Sequence, residues 1–218
     1  MATADLTLDG LRLALAPAIA EAAVFDGWTD AAVASAAVQH GVGPETARIA
    51  FPGGAMDMIA AWIESIDAAM VTALSAERVG NLPMRERIRT LVQFRLDAVL
   101  GREEALRRAM AIMAMPQNAV RTARLAWHSA DAMWRLAGDS AVDFNHYTKR
   151  MTLAAIYAAT LLAFVEDTSA DKTDTRAFLA RRIEGVMRFE KAKARFTRHD
   201  DNTFSMTRLL GRLRYPAI

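Results

Sequence analysis

The sequence predicts an all-α bundle of about ten helices, and three observations predict it. Strong helix formers dominate: Ala, Leu, Met and Arg abound, while only 11 Gly and 6 Pro interrupt 218 residues. No stretch alternates polar and apolar residues with the β-branched enrichment of a strand. Apolar residues instead recur at helical spacing between short breaks, most clearly Met58, Ile59, Trp62, Ile63, Ile66 and Met70. With 53% hydrophobic and 24% charged residues, the chain can bury a sizeable core and is neither disordered nor collagen-like.

Each element follows in order. A first helix is expected over about residues 8–24. Beyond the loop FDGW, Thr29 is placed to N-cap a short helix ending near His40. GVGP follows, and Pro44 suits the first turn of a helix to about Ala50. FPGG at Phe51–Gly54 is the second break, and the periodic face beyond it defines the next helix. Further helices are expected over about 84–100, 103–114, 117–136, 145–166, 175–198 and 203–214. The resulting organisation is an N-terminal set of short helices over 1–68, a bundle over 69–200 and an amphipathic tail over 201–218.

The net charge of +2 is unevenly spread. Residues 1–68 hold two bases, Arg12 and Arg48, against nine acids, whereas 176–218 hold eleven bases against four. The short helices between about 29 and 50 have the shape of a helix-turn-helix, and a longer bundle behind them is the layout of TetR-type repressors. Duplex binding rests on Lys and Arg neutralising phosphates, and PETARIA offers only Arg48 beside Glu45. No nucleic-acid partner is expected. The helices at about 145–166 and 175–198 stand where such folds build a four-helix dimer interface, so a homodimer is expected.

Catalytic signatures are missing. Without Cys there is no disulfide, Cys-ligated zinc or thiol nucleophile, which is compatible with a reducing compartment. No Glu is followed three residues later by His, as a di-iron bundle requires, and H-E-x-x-H, G-x-S-x-G, P-loop and G-x-G-x-x-G patterns are absent. Asp143 and His146 are spaced like ligands, but one pair cannot close a site. No enzyme activity, metal or cofactor is expected. The N-terminus, with two acids before Arg12, reads as neither a secretory signal nor a transit peptide. The apolar run Met151–Val165 is 15 residues long, short of the ~20 of a bilayer span, and is expected to be enclosed within the bundle.

The segment Asp131–Arg150, DAMWRLAGDSAVDFNHYTKR, mixes polar, aromatic and small residues too irregularly for simple amphipathic packing. Together with FDGW, GVGP and FPGG upstream and TRAFLARRIEGVMRFEKAKA downstream, it resembles the ubiquinone-biosynthesis accessory family of the ninth named coenzyme Q protein, over about residues 8–198. The resemblance implies a TetR-like fold, usually dimeric, that is not a repressor. It also implies a pocket for isoprenoid quinones or their precursors, and docking onto a di-iron hydroxylase of ubiquinone synthesis. Asp139, Asp143, Asn145, Tyr147 and Arg150 match the family pattern; Ala141 and Val142 replace its Ser-Thr, and His146 replaces its Trp. The partner surface it implies comprises Met133, Asp143, Asn145, His146, Tyr147 and Arg150. For the lipid pocket, adaptable Met and space-leaving Ala suit a flexible chain. Met110, Met113, Trp127, Trp134, Met151, Tyr157 and Leu161 are the expected lining. The expected location is cytoplasmic, peripheral on the inner face of the inner membrane. The alternative is a TetR-type regulator with a lipid effector.

The route to a membrane is read from the tail. Met206, Leu209, Leu210 and Leu213 fall at i, i+3, i+4 and i+7, a stripe about 100° wide, with Arg208 and Arg212 outside it. A basic helix with a narrow apolar stripe fits an anionic lipid surface, each Arg contributing about 1 kcal/mol. Removing the residues after Asp201 is expected to weaken sedimentation with anionic liposomes and leave the melting temperature nearly unchanged. A sharp drop in melting temperature with liposome binding intact would make the tail part of the fold instead.

Overall fold

The computed structural model describes residues 6–139 and 144–200. Among these, ten α-helices and no strand occur: α1 (Leu8–Asp26), α2 (Asp30–Gln39), α3 (Pro44–Ile49), α4 (Ala55–Ala73), α5 (Ala76–Gly80), α6 (Met84–Asp97), α7 (Glu103–Met113), α8 (Ala119–Leu136), α9 (Phe144–Glu166) and α10 (Thr173–Asp200). The expected helices are found with ends shifted by a few residues. The short α5, capped by the Ser75 hydroxyl accepting from the Arg78 N–H, was not expected. The expected helix over 203–214 lies outside the described residues.

Local chemistry sets the boundaries. The Thr7 hydroxyl accepts from the Gly10 N–H at 3.2 Å to start α1, and Pro44 occupies the first turn of α3, where its missing N–H costs nothing. The FPGG break carries two separate requirements. Gly54 adopts φ +61°, and a Cβ on Gly53 would lie 2.7 Å from the Asp57 carboxylate, which accepts the Gly53 N–H at 2.5 Å. Asp57 also pairs with Arg121, fixing the start of α4 to α8. Between α9 and α10 the Asp167 carboxylate accepts from the hydroxyls and N–H groups of Ser169 and Thr175, at 2.6–2.8 Å, which holds its carboxyl far below the usual range.

Packing then follows from side-chain size. Fully buried Ala16, Ala20, Ala23, Ala32, Ala36 and Ala37 let α1 and α2 approach closely. The long α4 carries this N-terminal unit into the bundle, packing against α1 as well as α6, α7 and α8. Trp28 reinforces the junction: its ring lies 5.3 Å from that of Trp62, and its Nε1 donates to the Ala105 carbonyl at 2.9 Å.

Helix α9 departs from expectation. Over 146–166 it is long and apolar enough to cross a membrane by length and composition, and only 22% of its most apolar window is buried. It buries Arg150, Leu153, Thr160 and Phe164 against its neighbours α6, α7, α8 and α10. Tyr147, Met151, Ala155, Ala158 and Leu162 form an exposed stripe on another face. The apolar run is therefore a half-covered wall helix, not an enclosed one: residues at 100° steps face two environments.

Candidate functional site

An apolar cavity of about 550 Å³ opens between α4, α6, α7, α8 and α9, within the size range of small-molecule sites. Helix α4 contributes Ile59, Trp62, Ile63 and Ile66; α7 contributes Leu106, Met110 and Met113; α8 contributes Leu125; α9 contributes Tyr157 and Leu161. The two ends differ. Ile59, Trp62, Arg95 and Ser129 are buried, whereas Arg107, Leu162 and Glu166 reach solvent. At the outer end Arg107 pairs with Glu166 at 3.4 Å and donates to the Val165 carbonyl at 2.8 Å, bridging α7 to α9.

The inner end is polar. Arg95, 1% exposed, pairs through Nη1 with Asp67 of α4 and donates through Nη2 to Ser129 Oγ of α8 at 3.2 Å. Ser129 Oγ donates to the second Asp67 oxygen at 2.8 Å, and the guanidinium lies 4.8 Å from the centre of the Tyr157 ring. This one cluster joins four helices.

Four of the residues expected to line a lipid pocket border this cavity: Met110, Met113, Tyr157 and Leu161. Three do not. Trp127 follows Ala126, a wall residue, and is turned about 100° away by the helix. Trp134 borders a smaller cavity of about 230 Å³ with Ile88, Leu153 and Ile183, and donates from Nε1 to the Lys149 carbonyl at 3.0 Å. Met151 shares a stripe with Ala154 and Ala158 but lies one turn past the wall and is 66% exposed. Sequence reasoning missed Trp62, Arg95 and Ser129.

The expected partner surface divides likewise. Trp127, His146 and Tyr147 form an aromatic trio, with ring centres 5.2–6.1 Å apart and Tyr147 58% exposed. Met133 is fully buried and offers nothing to a partner. Arg150 is also buried and is an internal tie: Nε donates to Asp131 at 2.6 Å, and Nη1 donates to Asp139 and to the His146 carbonyl, each at 3.1 Å. Lys149 Nζ donates to the other Asp139 oxygen at 2.6 Å. Burial alone would raise the Asp139 carboxyl, but these donations from Lys149 and Arg150 bring it below its ordinary value. Asp143, the Asn145 side chain and the tail residues Met206, Arg208, Leu209, Leu210, Arg212 and Leu213 lie outside the described residues. Among the described residues no group of three or more His, Asp or Glu could hold a metal ion.

Comparison with known proteins places this geometry. Residues 119–190, which span α8, α9 and part of α10, match the COQ9 family. Over 168 residues the chain is 33% identical to "Ubiquinone biosynthesis protein COQ9, mitochondrial" of Rattus norvegicus, covering 74% of this chain and 54% of that protein. The human protein of the same name is 32% identical over 168 residues, covering 74% and 52%. The Dictyostelium discoideum "Probable ubiquinone biosynthesis protein coq9, mitochondrial" is 27% identical over 173 residues, covering 77% and 56%. The chain thus spans about half the length of the curated relatives it matches. Among solved structures, the TetR transcriptional regulator from Nitrosomonas europaea superposes with a TM-score of 0.63 at 21% identity, covering 80% of this chain and 96% of that one. That likeness shows a TetR-like fold.

The matched segment contains the Arg150 tie, whose strength is testable. Asp139 has a lowered carboxyl pKa, so its contribution is present above the ordinary value of 3.8 and lost as pH falls below it. Asp139→Asn is expected to cost about 1–3 kcal/mol at pH 7, because it removes one of the two carboxylates that hold buried Arg150 and leaves Asp131 as the other. Urea denaturation from pH 7 down to pH 3 should show the gap between the two proteins closing as wild type loses this contribution.

Proposed function

We propose that this COQ9 homologue is a non-catalytic lipid-presenting protein of ubiquinone biosynthesis. It takes an isoprenoid quinone precursor from the membrane surface and offers it to a di-iron hydroxylase. The single observation that carries this reading is the apolar cavity of about 550 Å³, walled by Trp62, Ile63, Met110, Met113, Tyr157 and Leu161 and open at one end. A polyprenyl tail costs about 0.8 kcal/mol per methylene-sized group to expose to water, so an enzyme acting on its ring benefits from a carrier that covers it. Affinity for the membrane would come from the basic, amphipathic tail, with the protein peripheral to the inner face of the membrane.

The surface of α9 supports a place for handover. Its exposed stripe runs from Tyr147, in the aromatic trio, to Ala158 and Leu162, which border the cavity. A ligand emerging at the outer end would meet this stripe, and a hydroxylase seated on the trio would stand at its other end. The uncovered length of α9 is also where a second copy would pack to form a homodimer.

A TetR-type regulator is the second reading, favoured by the fold alone. The chemistry of α3 weighs against it. Arg48, its only base, is paired with Glu45 at 3.1 Å and faces Asp30 at 3.7 Å. Phosphates would have to displace these carboxylates within an acidic segment.

Organic extraction of the purified protein followed by mass spectrometry is expected to yield bound isoprenoid lipid. The cavity-filling Leu161→Trp should remove it without unfolding the protein; a lipid-free extract of wild type, with no thermal stabilisation by added quinone, would count against the proposal. Separately, Tyr147→Ala is expected to lower capture of the hydroxylase at least tenfold at unchanged melting temperature. Unchanged capture would move docking elsewhere.

A further inference from the structure

The corner where α7 turns into α8 joins exposed apolar side chains to a stretch without negative charge. Residues 105–130 hold no acid and four arginines, Arg107, Arg108, Arg121 and Arg124. Arg107 is engaged by Glu104 and Glu166, Arg108 by Glu104, and Arg121 by Asp57. Arg124 is exposed and pairs with no carboxylate among the described residues. At the turn Met115 is 43% and Val120 73% exposed, and Ala111, Ala114 and Ala123 are exposed around them. Val120 and Arg124 stand four residues apart and so share one face of α8. The backbone here is closed on itself. Of the carbonyls that end α7, Met110 accepts the Ala114 N–H at 2.9 Å, Ile112 the Asn118 side-chain amide at 2.8 Å and Met113 the Thr122 hydroxyl at 2.8 Å. Groups already paired within the protein lose little on leaving water, so this corner is cheap to move into an apolar medium.

We propose that the α7–α8 corner is a shallow wedge that enters the surface of an anionic bilayer and turns the cavity mouth toward the lipid. This rests on the lipid-presenting reading above and adds a membrane contact on the body of the fold, separate from the tail. Position supports it. Ala111, Ala114 and Thr122 border the cavity, so the corner belongs to its rim, and Leu162 of α9, 60% exposed, stands on the other wall. With Met115 and Val120 sunk to the headgroup level, the opening meets the acyl chains, and an apolar ligand crosses without exposure to water. Charge selects the occupant. An anionic lipid surface attracts Arg124, whereas a second copy seated on the same patch would set two acid-free, arginine-bearing faces against each other. Glu166, the acid on the rim, is already held by Arg107.

The chain has no cysteine, so a single introduced thiol can be labelled alone. The test places an environment-sensitive nitrobenzoxadiazole dye on the full chain at Met115→Cys, at Val120→Cys or, as a control, at Val38→Cys, which is 75% exposed on α2. Vesicles are phosphatidylcholine alone or with about a third phosphatidylglycerol. On the anionic vesicles the dyes at 115 and 120 are expected to brighten at least twofold and to be quenched by lipids brominated on their acyl chains, while the dye at 38 stays unchanged. In the unlabelled chain Arg124→Ala should lower affinity for the anionic vesicles about fivefold and leave the melting temperature unaltered. Silent dyes at 115 and 120 on vesicles that still capture the protein would assign membrane binding to the tail and overturn the wedge. Equal brightening at 38, brightening that rises with protein concentration without vesicles, or unchanged affinity of Arg124→Ala would each overturn it as well. None of these results touches the lipid extracted from the cavity, so the wedge can fail while the lipid-presenting reading stands.

Discussion

A guanidinium held between a carboxylate on α4 and a hydroxyl on α8 sets the spacing of this bundle. Burying Arg95 costs several kcal/mol, and the cost is recovered only while the hydrogen bonds linking it to the half-buried Asp67 and to Ser129 are kept. The three helices therefore cannot slide together to fill the space beside the cluster. Trp62 limits collapse from α4, and its contact with Trp28, anchored on the Ala105 carbonyl, transmits the same restraint to α7. The hollow is in this sense a product of polar packing, although almost everything that lines it is apolar.

The N-terminal unit separates shape from charge. Its helices have the arrangement of a DNA reader, and the bundle behind it has the TetR-like fold. What decides binding is the chemistry of the face, and here the only base of α3 is spent on two carboxylates of its own segment. Meanwhile α1 and α2 are locked together by small residues and α4 is continuous with the cavity wall, so the unit earns its place as a brace for the bundle.

Much of this was readable in advance, because caps and breaks act locally. Thr29, Pro44 and the FPGG turn mark helix ends through their own backbone chemistry, and the face from Met58 to Met70 is unambiguous. The short α5 offered too little periodicity to be seen. Composition was a poorer guide to the cavity: Trp127 and Met151 have suitable side chains but sit at the wrong angle or one turn too early. Arg95 left a signal that could have been used. Ile88, Leu91, Val92, Leu96 and Val99 are buried on one stripe of the α6 region, and Arg95 falls inside it, a charge where the helix faces the core. Its partner Asp67 lies 28 residues away, so the pair itself is a property of the tertiary structure.

The bridge between Arg107 and Glu166 has a kinetic consequence. Both side chains are well exposed, and such pairs contribute only about 0–1 kcal/mol and weaken with salt. Parting α7 from the end of α9 at this point is therefore a small energetic step. Any occupant of the cavity would meet little resistance at the rim, and its residence time would be governed by the greasy interior.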